Sequence, residues 1–423
     1  MLFTLWIQEL EMVERLRGFR DFYPEEQESR RLMFDRMRES CLEFGFREVS
    51  GPSVESVELY ANKSGMEIMN QMFSFKDKGG RDVTLIPEFT PTLARMVSAR
   101  KDLVKPLKWY SIEKFWRYEE PQSGRFREFY QLNADIVGSE SYLADAEVTS
   151  LASDILKKLG ILDKVKFKVN SRILLDRILG EKGLKKEETY LVLDRWNKTT
   201  DEDKEIYMKE NGLDPGLVAS IADGSVLNGL EDEEMQRIAK IIDYVKSSEM
   251  VDIDFDLKIV RGLSYYTGYV FEAWDKEEKF RAILGGGRYD EIIGQLGGEK
   301  TPSVGFAVGD AVLENILKSS GKWGKVKRKA LFLAMVDDAG KEYAPRVSKT
   351  LRENGVAVDV NTAERGISKQ LDYASKMGYG YVAIVGENEK RNGTIVLKNL
   401  NTGLQEELSL ERCAEIAEKI EQS

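Results

Sequence analysis

The pattern of apolar runs changes twice along this chain, and the change limits the fold more than any other feature of the sequence. Residues 14–165 and 254–318 hold short strand-like runs, hairpin turns and a few helices. The segment from about residue 170 to residue 245 is rich in charged residues and has a helical pattern. Beyond residue 330, short apolar runs alternate with helical segments. The sequence therefore predicts an α+β core, a helical insertion and a terminal α/β domain. A merely peripheral helical bundle fits the middle segment equally well.

Local signals assign several elements of the core. Pro24, followed by two glutamates, marks the start of a helix that is expected to end near Gly45. Two hairpins are predicted, one around residues 73–86 and one around residues 116–131, with a helix over residues 90–99 between them. Further strand signals and one helix follow at residues 254–257, 269–272, 285–287, 303–307 and 310–318.

A basic, glycine-containing segment, residues 321–329, marks a linker. After it, apolar runs at 330–335, 357–360 and 381–385 alternate with helical segments at 338–354 and 367–377. This βαβαβ order predicts a small three-layer α/β domain with a parallel sheet. The expected domains are therefore residues 1–325, with the insertion at about 170–245, and residues 326–423.

Composition excludes several kinds of chemistry. The 423 residues include no histidine, which rules out Ser-His-Asp and Cys-His catalysis and imidazole metal ligands. The net charge of −10 neither predicts nor excludes a nucleic-acid partner, because phosphate binding needs only a local basic face. Catalysis must depend on carboxylates, tyrosines, arginines, lysines, backbone dipoles and metal ions.

The compartment is predicted from cysteine use and from the absence of targeting signals. Cys41 and Cys413 are the only cysteines and lie at opposite ends of the chain, so a disulfide framework is not expected. The apolar start of the chain is followed at once by glutamates, which does not fit a signal peptide. No run approaches the roughly 18 apolar residues that a membrane span requires. We expect a cytoplasmic protein with no membrane partner.

The densest group of chemically capable residues lies in the second hairpin. On a strand, side chains two positions apart share a face, so Arg117 would lie beside Glu119, and Arg127 beside Phe129. Arginine holds phosphate through two parallel hydrogen bonds, a carboxylate accepts from an adenine amino group, and a ring stacks on the base. The group therefore suits a nucleotide, although a solvated charged hairpin is the usual explanation of such a segment taken alone.

This hairpin resembles motif 2 of the class II aminoacyl-tRNA synthetases. The resemblance implies that Arg117 holds the α-phosphate and the amino-acid carboxylate, that Glu119 reads adenine, that Arg125 holds the γ-phosphate and that Phe129 packs on adenine. Glu120 departs from the pattern, because many relatives carry arginine at this position in the turn. The resemblance covers residue 15 to the end of the chain.

Two further blocks are similar to the histidyl-tRNA synthetase family within that class. They are Val260-Arg261-Gly262-Leu263-Ser264-Tyr265-Tyr266-Thr267-Gly268 and Gly286-Gly287-Arg288-Tyr289-Asp290. Either block alone would more often be core aromatics or a flexible glycine turn. The resemblance implies a histidine site formed by Glu88, Phe89, Thr90, Arg117, Gln131, Asp135, Arg261, Tyr265 and Tyr266.

The same resemblance implies the reaction and its partners. Histidine would be activated by ATP, with Mg²⁺ bridging the phosphates, and then transferred to tRNA(His). Arg117 and Arg261 would be the catalytic cations. A homodimer is implied, with Pro52 at its interface. Arg365, Lys369 and Lys376 of the terminal domain are candidate anticodon contacts, although ordinary helix-surface charge explains them as well.

One position departs from the class pattern. Val312 stands where most class II enzymes carry an arginine against adenine and the terminal phosphates. Either another cation, such as Arg288 or Arg125, replaces that group, or activity is weakened.

The missing arginine raises an alternative of a different kind. The chain could be a non-catalytic paralogue, such as the regulatory subunit of ATP phosphoribosyltransferase. A synthetase for proline, threonine or glycine is a third possibility, and it would need a different substrate pocket.

Overall fold

A computed structural model describes residues 13–61, 65–196, 199–248, 251–260, 265–277, 279–324 and 328–421. The chain divides into two compact units, Met1–Gly324 and Lys325–Ser423. No helix in the described ranges has both the length and the apolar character that a bilayer span requires.

The first unit is built on an eight-stranded sheet and a small three-stranded sheet. Its strands are β1 (Arg47–Glu48), β2 (Val54–Ser56), β3 (Ser74–Lys76), β4 (Asp82–Leu85), β5 (Leu107–Trp116), β6 (Glu128–Val137), β7 (Val165–Ser171), β8 (Asp252–Phe255), β9 (Tyr269–Asp275), β10 (Leu284–Arg288) and β11 (Ser303–Gly309). The large sheet has the order β1-β5-β6-β11-β10-β9-β7-β8, and the small one has the order β2-β4-β3. The six central strands of the large sheet pair antiparallel, whereas β1 and β8 pair parallel at the two edges.

The helices of this unit are α1 (Pro24–Glu43), α2 (Val57–Ala61), α3 (Gly65–Gln71), α4 (Thr90–Ser98), α5 (Tyr142–Lys158), α6 (Arg172–Glu181), α7 (Lys186–Asp194), α8 (Asp201–Glu210), α9 (Pro215–Ala222), α10 (Glu233–Ser248), α11 (Ile292–Gln295) and α12 (Asp310–Ser319). Helix α1 has proline at its start and glutamates in its first turn, where fixed φ and negative charge both favour a helix N-terminus. It ends just before Gly45, whose φ of 77° suits glycine. The predicted α+β core with flanking helices is confirmed.

The two faces of the large sheet pack against different helices, and only one of them also faces a cavity. Helices α1, α5, α10 and α12 cover one face and bury the larger hydrophobic core, which includes Leu132, Ala134 and Ile136 of β6. Helices α2, α4 and α11 pack on the other face around a second cluster. On the same face as that cluster, the polar residues of β6 line a cavity.

The described part of the charged middle segment forms five α-helices, α6–α10, and one short 3₁₀ helix between β7 and β8. Helices α6–α9 bury a cluster of their own, to which Leu175, Val192, Met208 and Val218 belong. Helix α10 instead contributes Ile241 to the larger core of the sheet. Most of the segment is therefore a small helical body, while its last helix belongs to the core.

The second unit is a three-layer α/β fold. Its strands are β12 (Arg328–Met335), β13 (Val358–Val360), β14 (Tyr379–Val385), β15 (Thr394–Asn399) and β16 (Gln405–Ser409), and its helices are α13 (Asp338–Glu353), α14 (Ile367–Lys376), α15 (Glu387–Asn392) and α16 (Cys413–Glu421). Alternate residues of β12 point to opposite layers: Leu331 and Leu333 pack against α13 and α16, and Phe332 packs against α14.

The prediction of a parallel sheet for this unit is only partly right. Strands β13, β12 and β14 pair parallel, as the βαβαβ order requires, but β15 and β16 add two antiparallel strands at one edge. Residues of β15 alternate between buried and partly buried, and most residues of β16 are exposed, so neither strand has the long apolar run that is typical of a strand buried on both faces.

Candidate active site

A cavity of about 690 Å³ opens on the face of the large sheet that α4 covers. Its floor is made by β6 and β11, and its walls come from α4, from the turn after β5 and from the connection between β9 and β10. The volume falls in the range of sites that enclose a small-molecule ligand.

Strand β6 provides the floor because its side chains alternate. Phe129, Gln131, Asn133 and Asp135 all line the cavity, whereas Leu132 and Ala134 between them enter the hydrophobic core. The neighbouring strand β11 places small residues beside them: Gly305 lies opposite Asp135, and Gly309 lies opposite Gln131. The small residues leave open the space that larger side chains would fill.

At one end of the cavity, Glu88 and Thr90 lie at the start of α4 beside Tyr265. The Tyr265 hydroxyl donates to Glu88 Oε2 at 2.9 Å and lies 3.4 Å from Thr90 Oγ1. Burial is the main reason why the pKa of Tyr265 is raised well above its usual value, and the negative charge of Glu88 adds to this effect. The centroid of the Tyr266 ring lies 5.1 Å from the centroid of the Tyr265 ring. This end therefore offers a carboxylate, hydroxyls and aromatic faces.

Asp135 lies at the closed part of the same end, and the Tyr289 hydroxyl donates to its Oδ1. Both side chains are buried. Burial raises the pKa of Asp135 to about 7, and the hydrogen bond from Tyr289 opposes that rise. The carboxyl group can therefore either accept or donate a hydrogen bond near neutral pH.

Arg117 lies between that end and the rest of the cavity. Its Nε donates to the Pro87 carbonyl at 3.0 Å, and its guanidinium lies 5.5 Å from the Phe129 ring centroid. It forms no ion pair within the described residues. Its terminal nitrogen atoms can therefore donate to an anion in the cavity.

Glu119, Arg125 and Phe129 surround the other end of the cavity. Arg125 Nη1 and Glu119 Oε2 form an ion pair at 2.5 Å. The predicted strand geometry is wrong for Arg117 and Glu119, because β5 ends at Trp116. The Glu119 amide donates to the Arg117 carbonyl at 2.9 Å, and this turn breaks the strand alternation. Glu120 of the same turn pairs with Arg17 in the solvent.

The position without the class arginine also lines the cavity. Val312 packs under the turn of Arg125: a Cβ built on Gly124 would lie 3.2 Å from a Val312 methyl group. Nearby Asp310 is buried between Arg20 and Arg30, with Nη2 to Oδ2 distances of 2.8 and 2.7 Å. It therefore holds the start of α12 in place.

Arg288 does not replace the missing arginine. Its side chain is buried, with Nη2 2.8 Å from Asp145 Oδ1, and it donates to the Ser139 carbonyl at 2.8 Å. It does not line the cavity. Of the two cations suggested from the sequence, only Arg125 lies there, and Glu119 already pairs with it.

Two predicted histidine-site residues stand apart from the rest. Phe89 does not line the cavity, because its ring is buried in the hydrophobic cluster of α4. Arg261 lies outside the described residues.

In the second unit, the Arg365 guanidinium lies 5.2 Å from the Tyr373 ring centroid, and Lys376 pairs with Asp372 at 2.8 Å.

The cavity also contains residues that the sequence patterns had not indicated as site residues, namely Asn133, Glu272, Arg281 and Tyr289. The Asn133 Nδ2 atom is buried and has no hydrogen-bond partner in the described part of the chain. Alternation along β6 from Gln131 to Asp135 is the signal that could have identified Asn133. No group of three or more acidic or cysteine side chains among the described residues could hold a metal ion by itself.

Comparison with known families and proteins shows extensive similarity. A family model described as histidyl-tRNA synthetase matches residues 18–312, and one described as anticodon binding domain matches residues 329–420. A histidine–tRNA ligase of Thermoplasma volcanium is 42% identical, over 94% of this chain and 96% of the relative. A histidine–tRNA ligase of Pyrococcus furiosus is 36% identical, over 96% of this chain and 98% of the relative.

Solved structures with the same fold include a histidyl-tRNA synthetase from Nostoc sp. PCC 7120. It has a TM-score of 0.82 and 25% identity, and the match covers 97% of this chain and 99% of that one. An ATP phosphoribosyltransferase regulatory subunit/histidyl-tRNA synthetase from Bacillus halodurans has a TM-score of 0.75 at 21% identity, covering 89% of this chain and 99% of that one. At that identity the second likeness concerns the fold alone.

Proposed function

This chain belongs to the histidyl-tRNA synthetase family and acts as a histidine–tRNA ligase, and from that premise we propose that the cavity on β6 is where histidine and ATP react. The observation that supports this best is the position of Arg117. Its terminal nitrogens, which pair with no carboxylate among the described residues, line a cavity that has an acid–phenol end on one side and Glu119, Arg125 and Phe129 on the other.

The first step forms histidyl-adenylate, and its main obstacle is charge. The histidine carboxylate is already ionised at neutral pH and attacks the α-phosphorus, so that a carboxyl–phosphate bond forms while the bond to pyrophosphate breaks. Arg117 holds both anions and stabilises the charge that develops on the phosphoryl oxygens. Arg261, outside the described residues, is the second proposed cation. A chain without histidine loses nothing in this chemistry, because no proton needs to be moved.

Histidine recognition depends on matching donors with acceptors. Neutral imidazole has one N–H and one lone pair. Asp135 and Tyr266, which both line the cavity, would satisfy these two positions, while Glu88, Thr90 and Gln131 would bind the α-ammonium group. Asn133 adds an amide donor next to Gln131. Such a polar pocket rejects apolar analogues by roughly 10⁴–10⁵-fold, because its own groups would stay unpaired.

ATP would occupy the other end. Glu119 accepts from the adenine amino group, the Phe129 ring packs on the base, and Arg125 holds the terminal phosphates. The Glu119–Arg125 ion pair positions both side chains before the nucleotide binds.

Mg²⁺ would neutralise and orient the phosphates, which is how this ion usually enters nucleotide sites, with few protein ligands. Glu272 is the carboxylate proposed to hold it, because the side chain lines the cavity and the Trp274 indole fixes its position by donating to Oε2 at 3.0 Å.

The second unit is proposed to bind the anticodon of tRNA(His). The match of residues 329–420 to an anticodon-binding family supports this. Arg365, Lys369 and Lys376 on or before α14 are the proposed phosphate or base contacts. Residues 1–325 would then carry the chemistry and residues 326–423 would recognise the tRNA.

We also propose a cytoplasmic homodimer. Cys41 and Cys413 are both free thiols, which suits a reducing compartment. Pro52 is exposed next to β1 at the edge of the large sheet, where the family resemblance implies a subunit contact. Light scattering after gel filtration would give the mass of a dimer if this is right and the mass of one chain if it is wrong.

One assay tests the proposed reaction against its rivals. Amino-acid-dependent ATP–pyrophosphate exchange is measured with each of the twenty amino acids. Exchange with histidine alone is expected. Exchange with no amino acid would favour the non-catalytic paralogue, which the near-full-length similarity to histidine–tRNA ligases does not support. Exchange with proline, threonine or glycine instead would contradict the substrate assignment.

A further inference from the structure

Arg281 is a cation of the cavity that the proposed reaction has not yet used. It lies in the connection between β9 and β10 and lines the cavity on the side of Glu119 and Arg125. Among the described residues it has no hydrogen bond or ion pair. An arginine on a binding-site wall with no partner of its own is available to an incoming anion.

Its surroundings show what kind of anion would fit. Burial and the positive charge of Arg125 lower the pKa of Arg281, and the smaller effect of the Glu119 charge opposes them. Arg125 pairs with that carboxylate at 2.5 Å. Arg125 and Arg281 therefore lie close enough to repel each other, and Glu119 forms an ion pair with Arg125 but not with Arg281. An anion with several charged oxygens would relieve the repulsion between them.

The residue at position 312 gives a separate reason to place phosphate here. Val312 lines the same end of the cavity, directly under the turn that carries Arg125. Valine offers no charge or hydrogen bond to a phosphate. Arg288 is buried against Asp145, and Arg20 and Arg30 are occupied by Asp310. Among the described cations that line this end of the cavity, Arg281 alone has no carboxylate partner.

We propose that Arg281 binds the β- and γ-phosphates of ATP and the departing pyrophosphate, and so supplies from the β9–β10 connection the charge that Val312 cannot. This assignment rests on the proposed function, because it takes ATP as the ligand of the cavity. Arg281 and Arg125 would hold the polyphosphate from two sides. Arg117 would remain on the α-phosphate.

The test compares Arg281→Ala with Lys279→Ala. Lys279 lies two residues earlier in the same connection, is exposed, does not line the cavity and pairs with Glu277. Arg281→Ala is expected to weaken pyrophosphate binding measured by calorimetry, and to raise the KM for ATP and for pyrophosphate in the exchange assay, each about 10- to 100-fold. The KM for histidine, the affinity for AMP and the melting temperature should stay as in the wild type. Lys279→Ala should change none of these.

A second variant tests whether position 312 and Arg281 have the same function. Adding Val312→Arg to Arg281→Ala should restore at least part of the lost affinity for ATP and pyrophosphate. An unchanged affinity of Arg281→Ala for both ligands would overturn the proposal. Equal losses for AMP and pyrophosphate would overturn it too, because a general distortion would then explain them. Failure of the wild type to exchange with histidine would instead contradict the proposed function, whereas calorimetry would still test Arg281.

Discussion

The hydroxyl of Tyr289, just after β10, donates to the carboxyl group of Asp135 on β6, across the intervening strand β11. Gly305 on β11 makes the contact possible, because a Cβ at that position would lie 1.8 Å from Asp135 Oδ1. A contact between β6 and the end of β10, which are far apart in the sequence, therefore defines the closed end of the cavity.

The buried Asp135 should make stability depend on pH. The folded chain keeps the proton up to about pH 7, whereas an unfolded aspartate releases it near 3.8. The free energy of unfolding should therefore fall as the pH rises from 3.8 through about 7, by a few kcal/mol, with the loss complete above that range. Asp135→Asn should remove this slope. Urea unfolding followed by tryptophan fluorescence from about pH 5 to about pH 8 measures it.

Tyr289→Phe is the matched variant for that experiment. It removes the hydrogen bond that lowers the pKa of Asp135, so the slope should extend to higher pH. If Asp135→Asn had the same pH dependence as the wild type, Asp135 would not be the titrating group.

Two glycines of β11 provide a test of the histidine end. Gly305→Ala should abolish most histidine binding, because the methyl group would collide with Asp135 and with the Ala134 carbonyl, 2.8 Å away. Overpacking of this kind also costs about 1–3 kcal/mol of stability. At Gly309 a Cβ meets no atom of the described residues within 4 Å, and φ is −83°, so Gly309→Ala should bind histidine normally. Isothermal titration with histidine compares the two, and equal affinities would contradict the placement of the site.

Arg117→Ala should slow histidine-dependent pyrophosphate exchange about 10²- to 10³-fold, as loss of a preorganised donor to the transition state does. Arg117→Lys should recover little, because an ammonium cannot donate through a planar fork. Lys114→Ala is the control, since Lys114 lies on β5 and pairs with Glu128 at 3.1 Å without lining the cavity. A rate of Arg117→Ala within threefold or so of the control would remove Arg117 from the catalytic assignment.

A chain that ends at Gly324 should separate activation from charging. The first unit contains the whole cavity and both hydrophobic clusters of its large sheet, so the shortened chain should fold and exchange pyrophosphate with histidine. It should lose most aminoacylation of tRNA(His), measured with radiolabelled histidine. Full charging by the shortened chain would contradict an anticodon-binding function for the second unit.

Elements with strong local signals could be predicted closely from the sequence. The helix expected from Pro24 to the region of Gly45 is α1, and that expected at residues 367–377 is α14. Proline, glycine and apolar periodicity determine such ends within a few neighbouring residues. The last two strands, β15 and the edge strand β16, were missed, because neither has the long apolar run that marks a buried strand.

The site could be predicted in part, and the rest depends on tertiary structure. The turn from Arg117 to Phe129 is local, and its resemblance to a known motif pointed to the cavity. The ion pair of Arg288 with Asp145 joins residues 143 positions apart, so no spacing rule could have excluded Arg288 as the spare cation. Arg281 has no motif around it, and only its position beside Arg125 makes it notable.

One side of strand β6 forms part of the cavity floor, and its other side packs into the hydrophobic core. Inserting or deleting one residue within it would turn the side chains of Gln131, Asn133 and Asp135 toward the core. The apolar side chains of Leu132, Ala134 and Ile136 would then point into the cavity, toward the substrate. Amino-acid selectivity and folding would then fail together. Variants with altered specificity should therefore arise by exchange of side chains on β6, and length changes should be confined to the loops around it.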